Sequence, residues 1–195
     1  MNPSTYIAFF ENLMSANKET RETAEKDLDQ IKKMPVDQSL PIFQAGMSSP
    51  NKNVSQLSTL MFRKVYLDSK DIKANLTVPQ IETMKNILKS YVSFEEGKEW
   101  KNLQRIADAL AQLYQISEMK DNFAEIITWF NMPQPLARQF GIYVIEVLCD
   151  LEALKDDVIK GSIEDFKQMF SKGLQDSDIK VRVSTFKATT IIFPS

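Results

Sequence analysis

The side chains that most often perform chemistry are few in this chain, and they stand apart. None of its 195 residues is a histidine, so neither a Ser-His-Asp nor a Cys-His nucleophile can be assembled, and no zinc can be held through imidazole. Cys149 is the one cysteine. Alone it makes neither an internal disulfide nor a thiolate cluster, which suits a reducing compartment, and with no histidine to activate it a space-filling role is expected. Gly46, Gly97, Gly141, Gly161 and Gly173 are scattered, which excludes a glycine-rich phosphate loop. Asp156-Asp157 could share hydrolytic work with a third carboxylate, although a solvated turn is the plainer reading. Asp176-Ser-Asp178 starts like a calcium loop, but Val181 and Lys187 stand where that loop needs glycine and glutamate. Lys32-Lys33 and Arg63-Lys64 are pairs rather than the clusters that nucleic acid requires, and a net charge of −2 supplies no general field. The glycosylation patterns at Asn53 and Asn75 are expected to be chance matches. No constellation argues for an enzyme.

The elements that must position these residues read as helices. Apolar residues recur at helical spacing nearly everywhere, and no run approaches the eighteen of a membrane span. Ile7, Phe10, Leu13 and Met14 share a face, with Ser4 as the expected cap. Thr77, with Pro79 just inside, opens a helix carrying Ile81, Met84, Leu88 and Tyr91. Phe123, Ile126, Ile127 and Phe130 mark a third, and Ser162 starts a fourth with Ile163, Phe166, Met169 and Phe170. Pro35, Pro50, Pro133 and Pro135 fall between segments, where proline is tolerated, and Pro41 is expected in a first helical turn. Residues 69–76 and 93–98 read as loops. The N-terminus lacks the basic start of a signal peptide. About ten helices in five antiparallel pairs are expected, with no strand, in a soluble intracellular chain.

The pairs repeat. Five second helices stack in register: TRETAEKDLDQI from Thr20, VSQLSTLMFRKV from Val54, NLQRIADALAQL from Asn102, ARQFGIYVIEVL from Ala137 and VRVSTFKATTII from Val181. Arginine holds the second place in three of them (Arg21, Arg138, Arg182). Three residues on stand Ala24, Ser58, Ile106, Gly141 and Thr185, mostly small, as close helix packing requires. Ten after the second place stand Ile31, Val65, Leu113, Leu148 and Ile192, all apolar. The intervals of 34, 48, 35 and 44 residues lie around the length of HEAT and armadillo repeats. A single pair has too little core, so the expectation is an all-α, right-handed α-solenoid of about five HEAT repeats, approximately 4–34, 36–70, 77–116, 121–153 and 155–193, forming one domain. In the last, Asp176 or Asp178 is expected to cap a helix opening Val181-Arg182, with Arg182 reaching an aspartate in an adjacent turn.

Arg21-Glu-Thr-Ala24-Glu25-Lys-Asp-Leu28, then Gln56-Leu57-Ser-Thr-Leu-Met-Phe-Arg63-Lys64, resemble the first two repeats of the importin-β (karyopherin-β) superfamily. The likeness continues through Arg105-Ile-Ala-Asp108-Ala-Leu-Ala-Gln-Leu113, Trp129-Phe130 and Leu174-Gln-Asp176 with Arg182, over roughly 4 to 193, and is most similar to the importin five branch. Ser55 and Leu103 depart from it by replacing expected arginines. The resemblance implies an N-terminal fragment of a longer nuclear transport receptor. Such a receptor is monomeric, shuttles between cytoplasm and nucleus, binds protein cargo, and releases it when the GTP form of the Ran GTPase binds. It implies no cofactor, no metal, no membrane and no direct nucleic-acid contact.

By that resemblance Ran lies on the concave side of the second helices. In the stacked register the stripe away from the core holds Glu22, Glu25, Asp29, Gln56, Thr59, Arg63, Tyr66, Gln104, Asp108, Tyr114, Gln139, Tyr143, Glu146 and Asp150. Acids interleaved with tyrosines suit a basic protein, although any soluble helix has a polar face. The family also takes nucleoporin phenylalanine-glycine repeats in grooves between convex first helices, where Phe123, Ile127, Phe130, Phe166 and Phe170 are the candidates, with core packing the plainer role for each. The rival reading is a HEAT scaffold for a phosphatase or other signalling complex. A solenoid that carries a later catalytic domain stays open as well.

Overall fold

The computed structural model describes residues 3–95, 99–117, 119–154 and 160–193; Gly97, Asp156 and Asp157 lie outside them. Every regular element among the described residues is helical: α1 (Pro3–Leu13), α2 (Lys18–Ile31), α3 (Val36–Met47), α4 (Lys52–Phe62), a π-helical turn (Arg63–Leu67), the short α5 (Lys70–Ala74), α6 (Val78–Ser90), α7 (Trp100–Gln115), α8 (Met119–Phe130), α9 (Pro135–Asp150), α10 (Ile163–Leu174) and α11 (Ile179–Ile192). The all-α expectation holds. None of these helices is long and apolar enough to cross a membrane. The chain forms two compact units, Met1–Tyr91 and Val92–Ser195.

Short polar residues start several helices by taking up amides that have no partner inside the helix. Asn17 Oδ1 accepts from the Thr20 amide at 3.0 Å, Asn51 Oδ1 from Asn53 at 3.0 Å, and Asp178 Oδ1 from Lys180 at 2.7 Å. Thr77 opens α6 as the spacing predicts, and Gln80 Oε1 reaches back to the Thr77 amide at 3.0 Å to complete a capping box. Three local expectations are corrected. α1 begins at Pro3, which already has the φ a first turn needs, so Ser4 lies inside the helix. Pro41 is the sixth residue of α3 and exposed, with a full helical turn before it. Residues 69–76 contain α5, which Ser69 caps by accepting from the Ile72 amide.

In the first unit α3 packs against α1, α4 and α6, and α1 also packs on α2. Phe10, Phe43, Phe62 and Tyr66 are all fully buried here. They meet edge to face, Phe43 to Tyr66 at 5.3 Å and Phe62 to Tyr66 at 5.2 Å between ring centroids, an arrangement that adds to simple area burial. The Tyr66 hydroxyl shares a 2.6 Å hydrogen bond with Ser39 Oγ. Burial raises that phenol well above its ordinary range, only partly offset by Ser39.

In the second unit α9 is central, packed against α7, α8 and α11, while α10 packs on α11. The register read from sequence has a physical counterpart at two of its places. Ala24, Ser58, Ile106, Gly141 and Thr185 are all buried. Ser58 Oγ donates to the Phe43 carbonyl of α3 at 2.7 Å. A Cβ on Gly141 would lie 3.1 Å from the Ile126 carbonyl and 3.2 Å from the Phe130 amide of α8, and one on Gly173 of α10 would strike Thr185. At these three places, Ser58, Gly141 and Thr185, the position faces the helix that precedes its own. At the second place, Arg21 donates to the Ser15 carbonyl at 3.0 Å, Arg138 to Met132 at 3.2 Å, and Arg182 to Asp176 at 2.6 Å. Each guanidinium folds back six residues onto the turn that precedes its helix.

Arg138 does one thing more. Its Nε and Nη2 donate to Asp176 Oδ2 and Oδ1 at 2.6 and 2.9 Å, joining α9 to the turn before α11. Asp176 Oδ1 also accepts from the Asp178 amide at 2.9 Å. The sequence expectation gave an aspartate to Arg182; the structure gives Asp176's carboxylate to Arg138 and its carbonyl to Arg182. Both Asp176 carboxylate oxygens are thereby engaged with donors, while Asp178 takes the capping role at the start of α11.

Candidate functional site

Of the residues read as partner contacts on the second helices, Thr59, Tyr66, Tyr114 and Gln139 are buried and the others are exposed or half-buried. In the first unit Glu22, Glu25 and Asp29 are exposed along α2. Lys18 lies 3.6 Å from Glu22 and Lys32 lies 2.9 Å from Asp29, and the Lys32 hydrogen bond holds the Asp29 carboxyl below its usual range. Gln56 and Arg63 are half-buried, with Arg63 Nε 3.6 Å from Asp68 Oδ2. Thr59 and Tyr66 were expected on the same stripe and are instead buried, Tyr66 at 1% exposure. Tyr66 stands four residues after the fully buried Phe62, so it falls on the same side of the helix and its ring joins the Phe43–Phe62 cluster.

In the second unit, α7, α9 and α11 enclose a groove of about 230 Å³ on their open side. Gln104, Tyr143 and Glu146 line it together, as the stacked register requires. Asp108 joins them through the Tyr143 hydroxyl, which donates to Asp108 Oδ1 at 3.1 Å. The Trp100 ring stands edge-on to Tyr143 at 5.5 Å. Burial raises the Tyr143 phenol, and the neighbouring Asp108 carboxylate raises it further. Burial also raises the Glu146 carboxyl, with Lys187 pulling it down and Asp150 pushing it up. Among the described residues no cation comes within ion-pair distance of Glu146, so its neutralisation by Lys187 is only long-range. Asp150 is exposed at the end of α9, and Gln139 reaches the groove although it is mostly buried.

Tyr114 is the second tyrosine to leave the stripe. It is fully buried and donates to Glu125 Oε2 of α8 at 2.7 Å. Leu103, Ala107, Leu110 and Tyr114 advance by four, three and four residues along one buried face of α7, whereas Gln115 is exposed. The open stripe passes one residue beyond Tyr114.

The first-helix residues read as a nucleoporin groove belong to the core. Phe123, Phe130, Phe166 and Phe170 are buried, with Phe123 against Phe166 at 4.7 Å and Phe166 against Phe170 at 5.8 Å. Ile127 keeps partial exposure, beside a cleft of about 20 Å³ that it shares with Phe130 and Met169. A phenyl ring does not enter a space of that size without displacing side chains. The aromatic stripe is consumed by packing between α8 and α10, as an amphipathic helix requires.

Sequence reasoning missed Trp100, Ile179, Val183 and Lys187, which line the groove. Trp100 stands two places ahead of the stacked register. Ile179, Val183 and Phe186 are exposed at 60%, 48% and 62%. The signal for these three lay in α11 itself, where they recur at i, i+4 and i+7 on the side opposite the buried Val181, Ser184, Thr185 and Ala188. A helix with apolar residues on two faces has something further to cover.

Cys149 is half-buried near the end of α9, and its thiol is pushed up to about 12 by burial and by Asp150 and Glu146, so at neutral pH it is a thiol and not a nucleophile. Among the described residues no group of three or more histidine, cysteine, aspartate or glutamate side chains is placed to hold a metal ion. Comparison of the chain with protein-family models, with curated proteins and with solved structures finds no match.

Proposed function

We propose that this chain is a HEAT-repeat solenoid of the importin-β type that binds the GTP form of Ran through the open face of its second helices and carries protein cargo through the nuclear pore. The observation that carries this reading is the meeting of Gln104, Asp108, Tyr143 and Glu146 on α7 and α9. Those four were expected from the register to share one face, the face that the resemblance gives to Ran. The solenoid reading is supported by the side-by-side packing of α7, α9 and α11 and by the recurring arginine and small-residue places. Stacked pairs that each touch only their neighbours make a long surface, and a small rotation at each junction accumulates into a change of curvature able to release cargo.

The test is retention of Ran by the immobilised chain, with Ran loaded either with a non-hydrolysable GTP analogue or with GDP. Retention of the GTP form alone, lost in Asp108→Lys and Glu146→Lys variants that still fold, is the expected result. Equal retention of both forms removes the switch, and retention of neither, by this chain or by a longer one, moves the reading to a signalling scaffold.

A further inference from the structure

The groove of α7, α9 and α11 has a chemical character of its own. Its walls are apolar where Trp100, Ile179 and Val183 stand, and Glu146 is the one carboxylate among its lining residues. That carboxylate has lost water to burial and, among the described residues, has gained no ion pair in return. A half-buried charge without an ion pair carries part of the cost of desolvation, and an incoming cation recovers it. The rim adds a constraint. Lys180 and Lys187 are both exposed on α11 whereas Glu146 is half-buried, so the two lysines are the more accessible to a partner's charges. A run of basic residues would place its second and third charges against the two lysines, whereas a single cation reaches Glu146 with only its uncharged neighbours at the rim.

At about 230 Å³ the space falls below the range of pockets that take whole drug-sized ligands and suits one long side chain with part of its neighbours. Trp100 and Tyr143 offer ring faces and edges to a planar guanidinium, the cation that best combines stacking with carboxylate recognition. Gln104 and Gln139 supply amides for a peptide backbone.

We propose that this groove binds an extended segment of a partner protein in which one arginine stands between apolar residues, the guanidinium against Glu146 and the apolar flanks against Trp100, Ile179 and Val183. The proposal rests on the reading that the open face of the second helices is a partner surface. It adds which chemistry this part of that face selects: a solitary arginine in an apolar setting, and not a polybasic run.

The chain's two tryptophans make the test direct, because Trp100 lines the groove and Trp129 is in the core. Their two indole N–H signals are followed in the 15N-labelled chain during titration with capped pentapeptides. The probes are glycine-leucine-arginine-leucine-glycine, the same peptide with glutamate for arginine, a version with three consecutive arginines, and argininamide alone. The expected result is a saturable shift of the Trp100 signal with Trp129 unmoved, the single-arginine peptide binding at least tenfold more tightly than each other probe. In Glu146→Gln the preference over the glutamate peptide falls below twofold, while Lys180→Ala narrows the gap to the triple-arginine peptide. Equal affinity for arginine and glutamate peptides overturns the proposal, as does selectivity that survives Glu146→Gln, or argininamide binding as well as the peptide. If no peptide moves Trp100 while the chain still retains GTP-loaded Ran, this inference fails and the receptor reading stands; if Ran is not retained either, both fail.

Discussion

Replacing Asp176 by asparagine tests the junction between α9 and α11 more sharply than any other single change. Arg138 and Asp176 are 17% and 8% exposed and meet through two hydrogen bonds of 2.6 and 2.9 Å. Removing one partner of a fully buried pair costs about 3–5 kcal/mol, because the other charge stays behind. Here Arg138 keeps the Met132 and Pro133 carbonyls and some water, so about 2–3 kcal/mol is expected. For a unit of this size that lowers the unfolding midpoint by roughly 10–20 °C. Both tryptophans, Trp100 and Trp129, lie beyond Val92. Tryptophan emission during denaturant unfolding therefore reports the second unit alone, and far-ultraviolet circular dichroism reports both. The two probes should part company in the variant, with emission moving to lower denaturant. Replacing both partners together, as Arg138→Met with Asp176→Leu, should restore more than half of the loss. The pH dependence has a definite sign. The Arg138 hydrogen bond holds the Asp176 carboxyl below its usual range, so the wild-type advantage is complete above the unfolded value of about 3.9 and fades as pH falls through the lower folded value. A loss under about 0.5 kcal/mol at neutral pH would refute the reasoning, since it would put the pair among exposed ion pairs.

Close packing and burial lead to two further outcomes. Gly173→Ala places a methyl group on Thr185 and should cost about 1–3 kcal/mol by the same emission assay; a compensating Thr185→Ala should recover most of it, and no recovery would mean that the strain lies elsewhere. Cys149, with its thiol at about 12, should exchange with an aromatic disulfide at pH 8 about 30-fold more slowly in the folded chain than in the unfolded one, since the scarcer thiolate is partly offset by its greater nucleophilicity. Equal rates measured by release of the coloured thiol would show that the side chain is not desolvated.

Helix stripes, the Thr77 and Asp178 caps and the small-residue register were legible because each is set by local spacing: 3.6 residues per turn, three free amides, one close approach. Features that local spacing does not encode escaped. The π turn at Arg63–Leu67 leaves no compositional mark. Tyr114 sits one residue from the open stripe, and its hydrogen bond to the Glu125 carboxylate of α8 shows which side it takes. For the phenylalanines of α8 and α10 the sequence allows a groove beside the plainer role in the core, and their burial and ring contacts place them in the core. The groove itself draws on three helices, and Trp100 and Lys187 enter it from positions that no single-helix pattern connects.

The arginines that fold back on their own turns bear on how the chain reaches this state. Arg21, Arg138 and Arg182 each span six residues to a carbonyl, so the brace closes as soon as one turn and the start of one helix exist, without waiting for distant sequence. Contacts of such short separation favour fast formation, and during synthesis they let an emerging helix pair set its corner before the next leaves the ribosome. The bond from Arg138 to Asp176 is of the other kind. It requires thirty-eight residues and can form only once the following turn has arrived. Order of assembly is thus written into one residue type used at two ranges: the near contact shapes each corner, and the far one fastens it to its successor.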